Sequence, residues 1–215
     1  MAGMNSLFPA TLKLPLQFDA QRLQQDVEQF AAHEWQAHFN RSVYEGDWSG
    51  IALRACPDAA VPLFPDPNNP QPFCDTQALA RLRYVPSVLA CIESEIRSAR
   101  LLKLAPGANI RRHRDYQLSP EEGEVRLHIP VQTAPEVEFT LDDQRIPMAE
   151  GELWFLNFNL YHSVQNRSKR DRIHLVVDCV FNPWLRSFFE PGFFEPGFFE
   201  PGFFEAGFFE AGANA

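Results

Sequence analysis

The sequence predicts a mainly β protein: an antiparallel sandwich or barrel, entered through a short helical region. Three observations carry this. From Ser98 onward the chain breaks into short runs of alternating apolar residues, separated by turn chemistry at Pro106-Gly107, Glu122-Gly123 and Asp142-Asp143. Upstream, apolar residues recur at helical spacing instead. At 215 residues the chain is long enough for one ordinary domain with a sizeable core.

The elements follow in order. Leu23, Val27, Phe30 and Ala31 share one face of a helix predicted over residues 18–35, with Asp19 suited to its N-cap. Six prolines between Pro57 and Pro72 then enforce a loop. Short helices are expected at 75–82 and 86–96, the second opened by Pro86 in its first turn. Strands are expected at 99–104, 110–115, 124–132, 137–141, 153–158, 161–165 and 172–181.

Residues 188–212 read FFEPG three times and then FFEAG twice, and hold ten of the twenty phenylalanines. A five-residue period matches neither helix nor strand, whereas Pro-Gly suits the centre of a type II turn. Residues 1–187 are therefore expected to form the domain and 188–215 a flexible tail. That tail is either a repeat expansion without function or a segment that docks on a partner protein.

The 28 acidic residues outnumber the 19 basic ones, and five of the acids lie in the repeats. This argues against nucleic-acid binding, which needs a basic surface. No apolar run approaches the roughly 20 residues that span a bilayer. The N-terminus lacks a basic start followed by a long apolar run, and the four cysteines show no CxxC spacing. A cytoplasmic protein with reduced thiols is expected.

His113 and Asp115 stand two apart on a predicted strand, which points both side chains to one face. His162 lies in a later strand. Two histidines and one carboxylate form the facial set that suits iron(II) and leaves coordination positions open. With neutral imidazoles such a site carries one net positive charge and favours an anionic ligand. Arg172 follows His162 by ten residues, across polar turn material at 166–171. A hairpin there would set His162 directly opposite Arg172, whose guanidinium can hold a carboxylate with two charge-assisted bonds. A molecule with a keto-acid end for the metal and a distal carboxylate for Arg172 fits this set. 2-Oxoglutarate is such a molecule.

Alternation extends the pattern. Arg126 and His128 share one face of strand 124–132, and Arg172, His174 and Asp178 share one face of strand 172–181, with apolar residues opposite. The polar faces are expected to line a cavity and the apolar faces to pack beneath the N-terminal helices. His174 is open between a role behind Arg172 and plain core. Trp35, His38, Tyr44 and Trp48 are read as aromatic packing or as the rim of a substrate mouth.

The runs LAPGANIRRHRD (104–115), VRLHIP (125–130), GELWFLNFNLYHSVQN (151–166) and DRIHLVVD (171–178) resemble the aspartyl/asparaginyl β-hydroxylase family, most clearly over residues 99–184. The resemblance implies a double-stranded β-helix, a jelly-roll or cupin-like barrel with the N-terminal helices packed on it. It implies a dioxygenase using Fe(II), 2-oxoglutarate and O2 to hydroxylate an amino-acid-type substrate: an Asp or Asn side chain in a peptide, a free amino acid or a small amide. His113, Asp115 and His162 would then bind iron, Arg172 the distal carboxylate of 2-oxoglutarate, and His128 a further part of that co-substrate. Arg126 would lie near the substrate. Asp115 is a carboxylate where some members have glycine. Leu102 is apolar where the resemblance implies a polar contact to the co-substrate. A cupin-like metal-binding sensor without oxygenase activity is the alternative.

Overall fold

The computed structural model describes residues 8–57, 59–64 and 71–189. In chain order the principal elements are Thr11–Gln17 (β1), Ala20–Val27 (α1), Gln36–Ala37 (β2), Tyr44–Glu45 (β3), Trp48–Ala55 (β4), Cys74–Asp75 (β5) and Gln77–Ala80 (α2). Val85–Ala90 (α3), Ile96–Leu104 (β6), Asn109–His113 (β7), Glu124–Gln132 (β8), Val137–Leu141 (β9) and Gln144–Arg145 (β10) follow. Glu152–Leu156 (β11), His162–Asn166 (β12), Arg172–Val180 (β13) and Pro183–Ser187 (α4) complete them.

Two antiparallel sheets face one another. The major sheet runs β1-β11-β8-β13-β6-β4-β2, with β5 beside β4, and the minor sheet runs β10-β9-β12-β7-β3. From β6 to β13 the chain crosses between the sheets at nearly every turn, only β9 and β10 being neighbours in one sheet. This winding is the double-stranded β-helix.

The crossing overturns the expected hairpin. β12 pairs with β7 and β9 in the minor sheet, whereas β13 pairs with β6 and β8 in the major one. His162 and Arg172 are therefore not cross-strand partners but face each other across the sandwich. The reason is burial. Eight of the nine β13 residues are buried, so this strand needs a neighbour on each edge and a layer over each face.

The order of elements also differs from expectation. β1 precedes the first helix, and its Leu12, Leu14 and Leu16 alternate with polar residues. Pro15 is tolerated because β1 is the last strand of its sheet. β4 carries little strand signal because Gly50 and Ala52 dilute its apolar pattern. Gly50 has a reason: a Cβ there would lie 2.8 Å from Leu101 O. The long helix expected over 18–35 ends at Val27. Gln29 and Phe30 then bond back three residues, and Phe30 turns into the core. Asp19 caps α1 through the Arg22 amide at 3.1 Å. Helix α3 stops at Ala90, and Ile96 already opens β6.

One face of β6, β8 and β13 carries Leu101, Val125, Leu127, Ile129, Leu175 and Val177, packed with Leu23 of α1, Val85, Val88 and Leu89 of α3, and Leu185 of α4. Each such buried side chain contributes about 1.5–3 kcal/mol relative to exposure. The opposite face looks into the space between the sheets and carries the polar residues, as the alternation implied. That interior stays open as a cavity because its walls meet apolar residues such as Phe139, Leu156, Phe158 and Val164 around a cluster of fixed charges.

The boundary expected after residue 187 shifts. Phe188 is buried, and Phe189 packs edge-on against Phe155 and Phe181 at 5.0 and 5.6 Å. The first Phe pair of the repeats thus belongs to the core; the rest of the tail lies outside the described residues. Among those residues no helix is long and apolar enough to cross a membrane.

Candidate active site

A cavity of about 860 Å³ opens between the sheets. Its walls include His113, Asp115, Arg126, His128, His162 and Arg172, the residues singled out from the sequence.

His113 ends β7 and His162 begins β12, and the two are direct partners in the antiparallel ladder. Cross-strand partners project to one face, which brings the ring centroids to 4.3 Å. Asp115 lies beyond the end of β7, not on the strand as expected. Its amide donates to Phe158 O at 2.9 Å, which turns the carboxylate back toward the histidines. One ligand atom from each of His113, Asp115 and His162 lies within 4.8 Å of the others.

The backbone fixes which nitrogens are offered. His113 Nδ1 sits 2.8 Å from Arg111 O, and His162 Nδ1 sits 3.1 Å from Leu160 O. A carbonyl only accepts, so both Nδ1 atoms carry the proton and both Nε2 lone pairs point away, free for a metal. Burial lowers the His162 pKa to about 4, keeping the ring neutral and able to ligate. Phe139 stacks on His162 and Phe158 meets it edge-on, so the ring cannot swing. Two neutral imidazoles and a carboxylate, crowded into one corner with an open cavity beside them, fit iron(II).

Behind this corner lies a chain of charges that the sequence reading did not anticipate as a unit. Arg126 Nη1 donates to Asp115 Oδ2 at 2.6 Å, while its Nε and Nη2 grip Asp178 at 2.6 and 3.0 Å. Asp178 is fully buried and also accepts from Arg100 Nη2 at 2.5 Å and Ser98 Oγ at 3.0 Å. Burial opposes its charge, but Arg100 and Arg126 outweigh that and hold its pKa well below the carboxylate range. Burial likewise opposes the Arg126 charge, and Asp178 and Asp115 overcome it, raising its pKa. Arg126, implied by resemblance to lie near the substrate, thus lines the cavity with three of its five N–H groups already engaged. Arg100 carries no local signal of its role, since β6 also bears Arg97 and Lys103.

Arg172 stands apart from this network. It is buried, yet among the described residues no carboxylate pairs with it. Its Nη2 donates to His174 Nδ1 at 2.9 Å, its Nε has no partner among the described residues, and its face lies 5.9 Å from the Phe139 ring. Burial alone lowers its pKa to about 9. A buried, unpaired guanidinium is costly unless an anion completes it. The residues present therefore fit both parts of a metal and keto-diacid pair.

Around the mouth, His38 stacks on Trp48 with centroids 3.5 Å apart, and Phe39 meets Phe64 edge-on at 5.1 Å. Burial lowers the His38 pKa to about 3. Tyr44 braces this rim through a bond to His38 O, whereas Trp35 packs on Phe30 outside the cavity. Leu102 lines the wall and offers no polar atom.

The family model of aspartyl/asparaginyl β-hydroxylases matches residues 16–181. The chain belongs to the aspartyl/asparaginyl β-hydroxylase family. Among curated relatives of this hydroxylase-family chain, an L-proline cis-4-hydroxylase of Rhizobium meliloti is 35% identical over 95 residues, 44% of this chain and 34% of the relative. The chain thus matches about a third of that relative's length. A 2OG-Fe(II) oxygenase family oxidoreductase of Burkholderia pseudomallei shares the fold, with a TM-score of 0.55 at 15% identity over 80% of this chain and 86% of that one. The non-heme alpha-ketoglutarate-dependent epimerase SnoN of nogalamycin biosynthesis does so at 0.52 and 11% identity, over 80% of this chain and 78% of its own.

Proposed function

We propose that this chain is an iron(II)- and 2-oxoglutarate-dependent hydroxylase of an amino-acid-type substrate, with free L-proline the first candidate and aspartyl or asparaginyl side chains the next. The observation that carries the co-substrate is the buried Arg172, which no carboxylate pairs with among the described residues. A metal-binding sensor has no need of such a cation, and leaving it unpaired costs stability. Proline is suggested by the similarity to the L-proline cis-4-hydroxylase, and aspartate or asparagine by the family's description.

His113, Asp115 and His162 would hold the metal through Nε2, a carboxylate oxygen and Nε2. Bound iron with 2-oxoglutarate supplies the oxidation: O2 is consumed, 2-oxoglutarate leaves as succinate and CO2, and one oxygen atom enters a substrate C–H bond. The protein does the rest. Arg172 anchors the distal carboxylate, Arg126 keeps one Asp115 oxygen occupied, and Phe139 and Phe158 hold the His162 ring and exclude water from its side. The aromatic rim of Trp48, Phe39 and Phe64 offers apolar contact to a small ring or side chain.

The test is a panel of free amino acids and short peptides incubated with iron(II), 2-oxoglutarate and oxygen. Succinate release should be stimulated by one class, with product one oxygen atom heavier. Metal binding with no turnover of 2-oxoglutarate under any condition would favour the sensor reading.

A further inference from the structure

His174 is enclosed on β13, contributes to no salt bridge among the described residues and lies outside the metal-ligand trio. Its Nδ1 is approached from two sides: by Arg172 Nη2 at 2.9 Å and by His128 Nδ1 at 3.1 Å. A guanidinium only donates, so His174 Nδ1 must carry a lone pair. His128 Nδ1 is then necessarily the protonated partner, since two bare nitrogens at that distance would repel. One acceptor atom therefore determines the state of two neighbours. It holds the guanidinium plane of Arg172, and it fixes His128 as the Nδ1–H tautomer with a bare Nε2. That Nε2 is buried and has no hydrogen-bond partner among the described residues, so the contact to His174 is what fixes the tautomer. Burial, reinforced by the Arg172 charge, keeps both rings neutral.

We propose that His174 is a positioning residue for the 2-oxoglutarate site, acting through Arg172 and setting the tautomer of His128. The proposal rests on the reading of Arg172 given above. It has a specific consequence. Arg172 meets an incoming carboxylate with its guanidinium already oriented by His174. Ordering the guanidinium before the ligand arrives lowers the entropy lost on binding.

Two measurements test this. Nitrogen-15 NMR of the zinc-loaded protein reads the imidazole tautomers directly, and His128 should carry its proton on Nδ1. Calorimetry of the manganese-loaded protein with 2-oxoglutarate should show binding weakened about tenfold in His174→Leu, the worth of one bond to a charged group. His174→Gln, whose Oε1 can accept from Arg172, should recover most of it. Manganese affinity should be the same in all three proteins, which separates positioning from a general loss of structure. Binding by His174→Leu within twofold of wild type, or a proton on His128 Nε2, overturns the proposal. If the wild-type protein itself binds no 2-oxoglutarate, the reading of Arg172 falls and takes the positioning role with it, while the NMR result still decides the tautomer.

Discussion

Arg126 joins two carboxylates, one in the loop after β7 and one directly across from it on the neighbouring strand β13: Nη1 lies 2.6 Å from Asp115 Oδ2 and Nε 2.6 Å from Asp178 Oδ1. Asp115 Oδ1 is left 3.7 Å from His113 Nε2, where a shared ion would sit. Arg126 thus aims a loop carboxylate that no strand geometry fixes. Arg126→Lys should weaken manganese(II) binding by about 10–100-fold, as loss of an outer partner to a ligand does. A single ammonium cannot span both acids. Equilibrium dialysis measures this, and undiminished affinity would remove Arg126 from the metal site.

Arg172 costs the ligand-free protein stability. Because its folded pKa is depressed to about 9, the charged form it holds at neutral pH is disfavoured by folding. Arg172→Met should therefore leave the melting temperature of the ligand-free protein unchanged or raise it, by up to ~1–3 kcal/mol of stability. The same variant should lose the stabilisation that 2-oxoglutarate gives the wild type. A marked destabilisation without ligand would mean that Arg172 is a structural residue.

Acid should unfold the metal-free protein early. His38, His128, His162 and His174 are all held neutral by burial, with pKa values below the ordinary 6.5 and about 3 and 4 for His38 and His162. A depressed folded pKa means that the unfolded chain binds the proton first. Their contribution is complete above about pH 6.5 and is lost progressively as pH falls toward the folded values. Thermal denaturation at a series of pH values should show a melting temperature flat near pH 7–8 that drops steadily below pH 6.5. A flat profile down to pH 5 would contradict the burial of these rings.

Gly151 tests the seam where β11 leaves its turn. Its φ is +81°, and an added Cβ would lie 2.1 Å from Phe18 O. Left-handed backbone alone costs an L-residue about 1–2 kcal/mol, and the clash adds to it. Gly151→Ala should destabilise by more than ~2 kcal/mol in chemical denaturation.

The longer β elements from residue 124 onward were readable to within two residues, β10 excepted, because Val125–Val131 and Ile173–Cys179 each bury one apolar face on the helices. The sequence also made the candidate residues readable one by one as chemistry-bearing side chains, and the structure gathers His113, Asp115, Arg126, His128, His162 and Arg172 around one cavity. Their partnership was not readable. The ten-position separation of His162 and Arg172 fits a hairpin as well as a crossing, and only the need of Arg172–Val180 for a neighbour on each edge decides between them. His113 therefore pairs with His162 through a register that local spacing does not encode. Arg100 and Asp178 were invisible as a pair because their bond spans 78 positions. β4 was hidden by the small residues that let β6 approach.

The account rests on one ion and one keto-diacid gripped from opposite sheets. Anaerobic titration of the iron(II)-loaded protein with 2-oxoglutarate, followed by visible absorption, tests this most directly. A weak charge-transfer band should grow in the wild type, be absent in His113→Ala, and require far higher 2-oxoglutarate in Arg172→Ala. A band of unchanged midpoint in Arg172→Ala, or of full strength in His113→Ala, would contradict it.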